Sequence, residues 1–235
     1  MLHPRRPNLH GQDADTEIVM AKTEYFAKDG ERLPGVSRVL SNLGWSGEAL
    51  KWWAWKIGKA GKDLREESRK AQNAGTICHY LIDCDFKKTT PNVAFDFPLA
   101  SPESEKKAQT SFMNYLNWKK NLKLKPVVSE VELVSEKWRF GGRIDRIAKV
   151  TGSLAVIDWK TGDAVYPEMK MQLAAYGRLW EENHPDQLLE GGYHLLNIEK
   201  ETAAFHHSHW VELGDYWEVF KLLLGIEQYR KKMAK

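Results

Sequence analysis

Asp158 and Lys160 stand two residues apart at the end of the apolar run Leu154-Ala155-Val156-Ile157. Such a run, bounded by Gly152 and Gly162, reads as a buried strand. Residues i and i+2 of a strand share a face, so the carboxylate and the amine point one way and Trp159 points the other. Such a pair can simply neutralise itself, or it can form half of a reaction centre. A second carboxylate, Asp145, lies thirteen residues upstream in Gly142-Arg143-Ile144-Asp145. If a turn at 151–153 joins two antiparallel strands, Asp145 and Asp158 come close together. Unpaired, they would repel, and one would be driven towards protonation. A divalent cation removes that conflict, and hard carboxylate oxygens suit Mg²⁺ or Mn²⁺. Lys160 would then stand beside the cation, placed to orient or deprotonate water or to stabilise charge at phosphorus. The chemistry supported is metal-assisted phosphodiester hydrolysis.

The elements that must position these groups can be read from the pattern. Residues 1–20 lack hydrophobic periodicity and read as a mobile tail. Alternation around Asp29-Gly30 predicts a hairpin. Ser37 is a candidate N-cap for a short helix closed by Gly44. The stretch from Ser46 to Phe86 is helix-rich, with expected breaks at Gly58–Gly61 and at Asn73-Ala74-Gly75, where a new helix would open and carry His79. Residues 87–101 read as a loop. Ser101-Pro102-Glu103 then starts a helix to about Asn121, with Phe112, Tyr115, Leu116 and Trp118 on its apolar side. From Pro126 onward three strands follow, then a helix opened by Pro167, two strands around Glu199-Lys200-Glu201 and an amphipathic, basic-ended last helix.

Composition narrows the classes. In 235 residues no apolar stretch is long enough to span a bilayer, and the polar N-terminus shows no signal-peptide core, so an intracellular protein is expected. Cys78 and Cys84 are the only cysteines, too few for a disulfide framework, a four-thiolate zinc site or an iron–sulfur cluster. A net charge of +3 points only weakly to a polyanionic partner. Ten tryptophans could serve a core or stack on bases.

Four motifs in order make the sequence resemble the PD-(D/E)XK nuclease superfamily, in particular its RecB-type exonuclease branch, which includes mitochondrial genome maintenance exonucleases and phage relatives. They are Gly75-Thr76-Ile77-Cys78-His79, Gly142 to Asp145, Ile157-Asp158-Trp159-Lys160-Thr161-Gly162, and Gln172 to Tyr176. The resemblance covers about residues 35–230. It implies that Asp145 and Asp158 are metal ligands, that the Trp159 carbonyl and His79 complete the shell, and that Lys160 is the catalytic lysine. Gln172 and Tyr176, one turn apart on a helix, would border the site and touch the DNA backbone. Glu130 on the preceding strand is a candidate accessory acid, with a solvent-facing role the alternative. Some relatives hold an iron–sulfur cluster through four cysteines, which this chain lacks.

The expected fold is α/β, a central mixed β-sheet flanked by helices as in restriction-endonuclease-like cores, with an N-terminal helical cap. Residues 21–125 would supply the hairpin and cap with the His79 motif, and 126–235 the nuclease core, as one compact unit. In the cap, Lys51-Trp52-Trp53-Ala54-Trp55-Lys56 could stack on bases of a single strand, with Trp52, Trp53 and Lys56 the candidates. The three rings cannot share one helical face, so at least one should be buried. The expected activity is a Mg²⁺- or Mn²⁺-dependent DNA exonuclease acting on single-stranded or frayed ends, in repair, recombination or replication. A non-catalytic DNA-binding module and a structure-specific endonuclease are the alternatives.

Overall fold

The computed structural model describes residues 23–44, 46–161, 164–198 and 205–233, without the side chains of 46–50, 69–73 and 161. The expected tail, Gly162 and the 199–201 turn lie outside these residues. A small hairpin comes first, β1 (Tyr25–Phe26) and β2 (Arg32–Leu33), turning where Gly30 takes φ +82°. Helices α1 (Val36–Leu40), α2 (Ser46–Lys59), α3 (Leu64–Lys87), α4 (Val93–Asp96) and α5 (Pro102–Asn121) follow. The remainder is β3 (Lys125–Ser135), β4 (Phe140–Val150), β5 (Ser153–Thr161), α6 (Pro167–Asn183), β6 (Gly192–Ile198), β7 (Phe205–Trp210) and α7 (Gly214–Met233).

Strands β3 to β7 form one mixed sheet in chain order. Neighbours are antiparallel except β5 and β6, which run parallel because α6 carries the chain back between them. The turn between β4 and β5 is tight, with Thr151 and Gly152 both at positive φ, the geometry that matches strand twist in short hairpins. β5 and β6 are buried on both faces, and their sequences are accordingly almost continuously apolar.

Two apolar layers cover the sheet. On one side α1, α6 and α7 pack through Val36, Val39, Leu173, Tyr176, Leu179, Trp217 and Phe220. On the other, α3 and α5 pack through Ile77, Leu81, Ile82 and Tyr115 against Ile157, Trp159 and Leu196. The hairpin meets the sheet at the start of β4, where Gly35 bridges Gly141 and Pro34 accepts a hydrogen bond from the Gly141 amide. A Cβ on Gly141 would lie 2.2 Å from the Tyr25 ring, so this close approach requires glycine. The hairpin thus packs against β4 and α1 against the α6 side, while α3 and α5 cover the other face and α2 packs against α3.

Three local expectations are corrected. Residues 87–101 are not all loop, because α4 forms within them, capped by Asn92, which accepts from the Phe95 amide. Ser37 is not an N-cap: α1 opens after Gly35, which makes no side-chain cap. The break at Asn73-Ala74-Gly75 does not occur, because α3 runs unbroken from its Asp63 cap to Lys87. A helical glycine costs roughly 1 kcal/mol against alanine. The burial of Ile77, Cys78, Leu81 and Ile82 just beyond it outweighs that cost. By contrast, Ser101 caps α5 as expected, accepting from the Ser104 amide, with Pro102 at its first turn.

On the α5 side of β6 and β7, His194 lies against His207 and His209. His194 Nδ1 is 2.8 Å from His207 Nε2, and the His194 and His209 rings stack at 4.4 Å. Burial, then His209 and His207, push the His194 pKa down from 6.5 to about 4. The folded state thus binds fewer protons than the unfolded state between these values, so this stability is present above pH 6.5 and is lost as the pH falls towards 4. Thermal melts should show a fall in Tm between pH 7 and pH 5 that shrinks in His194→Leu; an equal fall in both proteins would refute the assignment.

Candidate active site

The site is built where two strands part. The β4–β5 ladder ends at Arg146↔Ile157. Beyond it β4 stays paired with β3, while β5 follows β6 as far as Thr161↔Ile198. Asp145 and Asp158 are the first residues past this fork, opposite each other by continuation of the register. Glu130 faces Asp145 from β3 in the same way, between the pairs Ser129↔Arg146 and Val131↔Ile144. Three carboxylates thus lie in one row across three neighbouring strands.

The row coincides with a slip in the pleat. Val128 and Val131 both pack into the α6-side core, as do Ile144 and Ile147, although strict alternation would place residues three apart on opposite faces. The slip is taken up at Glu130, whose φ of +52° is rare for a residue with a side chain. Left-handed backbone there costs on the order of 1–3 kcal/mol, a strain typical of functional sites. Arg143 Nε, 2.8 Å from Glu130 Oε2, helps to hold it.

Elements from both layers reach the fork. His79 comes from α3, with Nδ1 4.0 Å from Asp145 Oδ2. Ligand atoms of His79, Glu130 and Asp145 all fall within 4.8 Å of one another. From the α6 side Gln172 Nε2 donates to the Tyr176 hydroxyl at 2.7 Å, as their one-turn spacing predicts. The Tyr176 pKa is pushed well up by burial and then by the charges of Asp145 and Asp158. Lys160 Nζ lies 2.6 Å from Asp158 Oδ2 on their shared face.

The electrostatics are those of a crowded anion site. Asp158 is fully buried. Burial raises its pKa well above the usual carboxylate range, and Asp145 adds to this against the pull of Lys160. Burial also acts to raise Asp145, but His79 and Lys160 outweigh it and hold that group below its ordinary value. Burial lowers the His79 pKa against the pull of Asp145, favouring a neutral ring with a free lone pair. Burial and then Asp145 push Glu130 up. Burial opposes charge on Lys160, yet Asp158 and Asp145 raise its pKa and keep it an ammonium.

A divalent cation fits this donor set. Both Asp158 carboxylate oxygens are buried without an aligned hydrogen-bond partner among the described residues, despite the nearby ammonium. The set is hard oxygen with one neutral imidazole, suited to Mg²⁺ or Mn²⁺. The Trp159 backbone touches the same ground, hydrogen-bonding with both His79 and Asp145.

Sequence reasoning passed over the clamp that aims His79. Asp83, one turn beyond His79 on α3, meets Arg146, the residue after Asp145, at 2.9 Å. Arg146 is buried, with its guanidinium 4.2 Å over the Phe86 ring. The i, i+4 spacing of His79 and Asp83 was the available signal. Trp159 packs on the opposite face as expected, edge-on to Tyr115 at 5.1 Å and Trp118 at 6.2 Å. Both cysteines are buried, and burial pushes the Cys78 thiol up to about 12, which makes it inert.

The helical segment is rearranged relative to expectation. Trp52 and Trp55 are the exposed pair, while Trp53 is half-buried, because residues three apart share a helical face and adjacent ones do not. Lys56 remains beside Trp52, its Nζ 5.9 Å from the ring centroid. A cavity of about 550 Å³ lies elsewhere, between the hairpin and α7. Its charged lining is largely paired internally, Arg139 with Glu31, Arg38 with Glu227 and Lys231 with Glu31.

The PD-(D/E)XK nuclease superfamily model matches residues 25–230. The chain belongs to this superfamily. The superfamily is one of nucleases, and its members generally use divalent metals. A crystal structure of a candidate exonuclease from Eubacterium rectale shares the fold, at 14% identity and TM-score 0.50 over 68% of this chain. This chain spans 65% of that one. The structure of SSO0001 aligns with 66% of this chain and 74% of its own at 17% identity and TM-score 0.32. No curated protein matches the sequence. No helix among the described residues is long and apolar enough to cross a membrane.

Two outcomes test the site. Asp158→Asn should lower the metal-free Tm, because it takes one partner from the buried pair with Lys160. In the wild type, Mn²⁺ at a hundred times its Kd should add about 2.7 kcal/mol, several degrees at roughly 2–4 °C per kcal/mol, and the variant should lose that gain. If Asp158 were only the partner of Lys160, the variant would keep the wild type's Mn²⁺-dependent gain. Trp159→Ala should cost roughly 3–5 kcal/mol and weaken Mn²⁺ binding while leaving residual cleavage, whereas Trp159→Phe should keep both near wild type. Unchanged metal affinity in Trp159→Ala would count against its bracing role.

Proposed function

We propose that this nuclease is a Mg²⁺- or Mn²⁺-dependent deoxyribonuclease that removes nucleotides from single-stranded or frayed DNA ends. The observation carrying this reading is the carboxylate row at the fork, with His79 on one flank and Lys160 within the site. Asp145, Asp158, His79 and the Trp159 carbonyl would hold the cation, with Glu130 close enough to share it. Bound there, the cation would supply Lewis acidity towards a phosphate and lower the pKa of water.

The chain's own groups account for the rest. Lys160, kept protonated by its two carboxylates, orients the attacking water and stabilises negative charge developing on the phosphoryl oxygens. Tyr176, held by Gln172, borders the carboxylates with its hydroxyl proton retained and can donate to a phosphate oxygen. Glu130, whose pKa is raised by burial and then Asp145, is placed to accept a proton from water. Trp159 sets the direction of Asp158 and Lys160 by filling the opposite face. A basic, aromatic helical segment suits a single-stranded end over a stiff duplex, which supports action from ends in repair, recombination or replication.

Purified protein with Mg²⁺ or Mn²⁺ should degrade 5′- and 3′-labelled linear DNA and spare a closed single-stranded circle. Asp158→Ala and Lys160→Ala should each lower the rate by 10³-fold or more, on the order of 4 kcal/mol, while retaining DNA binding. Cleavage of the circle would make the enzyme an endonuclease. Failure to cut any DNA would overturn the enzymatic reading.

A further inference from the structure

The least expected surface feature is a pair of stacked tryptophans in open solvent. Trp52 and Trp55 lie on one face of α2, 57% and 51% exposed. Their rings stand 4.6 Å apart and only 16° from parallel. Lys56 Nζ is 5.9 Å from the Trp52 centroid and Lys59 Nζ 4.9 Å from the Trp55 centroid. Two large aromatics kept in water forgo burial that each could gain in a core. The interior offers such places, since Trp159, Trp180 and Trp217 occupy them.

We infer that Trp52, Trp55, Lys56 and Lys59 form a stacking platform for single-stranded nucleic acid, remote from the carboxylates. This rests on the nuclease reading above and deepens it by assigning where the strand is gripped. Every base has a π-face, so aromatic rings bind single strands without reading sequence, and lysines beside them neutralise the backbone. A duplex hides its base faces and would meet only the lysines. The charge also selects the occupant: α2 carries Lys51, Lys56 and Lys59 against a single acid, Glu48, which suits a polyanion.

The position fits a strand running towards the site. Residues 60–63 connect α2 to α3, and His79 sits fifteen residues into α3, about 22 Å along it at 1.5 Å per residue. At about 3.4 Å per nucleotide, that stretch of α3 alone corresponds to roughly six or seven nucleotides. Substrates that reach only the carboxylates should therefore ignore the platform, and longer ones should need it.

The test uses the full chain. Binding of fluorescein-labelled (dT)20 in EDTA, where no cleavage occurs, is read by anisotropy beside intrinsic tryptophan fluorescence. Wild type should bind with quenching. Trp52→Ala/Trp55→Ala should lose at least tenfold in affinity, and Trp52→Phe/Trp55→Phe should recover most of it. Lys56→Glu/Lys59→Glu should weaken binding and flatten its salt dependence. With Mn²⁺, the double alanine variant should show a raised KM and unchanged kcat on (dT)20, and wild-type kinetics on (dT)4. Equal (dT)20 affinity in wild type and the double alanine variant overturns the platform, as does equal loss on (dT)4 and (dT)20. Cleavage that persists with unaltered binding in the variants refutes the platform and leaves the nuclease reading intact. Quenching and tight binding without cleavage do the reverse.

Discussion

Carboxylates crowded at one point, one of them wholly out of water, are the constraint on which this structure turns. Asp158 has no solvent exposure, and Asp145 stands across the fork from it. Isolated, such groups would cost several kcal/mol each. The fold tolerates them because Lys160, His79 and a place for a cation converge on the same point. The apolar layers exist to make that convergence rigid: Trp159 behind the strand, Tyr176 before it, and the Asp83–Arg146 clamp fixing the angle of α3.

The fork itself follows from topology. A strand that pairs antiparallel with β4 at one end and parallel with β6 along its length must leave β4 where the two ladders diverge. Past that point backbone groups are freed from the ladder and the gap can admit side chains from both layers. The slip at Glu130 continues the same distortion into β3, bringing a third acid into the row at the cost of left-handed backbone. Strain, buried charge and unaligned oxygens are concentrated in one place, while the surrounding β5–β6 core is regular.

Much of this was written in local patterns. The β-β-β-α-β-β-α order, the Ser101 cap, the shared face of Asp158 and Lys160 and the opposite face of Trp159 all follow from period-two or period-3.6 spacing and turn chemistry. These depend only on residues near in sequence. The same locality explains the errors. Gly75 looks like a breaker when its neighbours alone are counted, and Ser37 looks like a cap. What decided otherwise was burial against elements thirty or more residues away.

The sequence by itself supplied the candidate groups, because Asp145, Asp158, Lys160 and His79 stand out by type, order and spacing. Only the tertiary structure decided where they meet. Glu130 joins the row because β3 pairs in one particular register with a slip. Trp55 rather than Trp53 accompanies Trp52, because helical geometry sets which rings can share a face and packing sets which face stays in water. His79 is aimed by Asp83 gripping Arg146 sixty-three residues away. Contacts of that span arise from the packing of whole layers, and no local spacing encodes them.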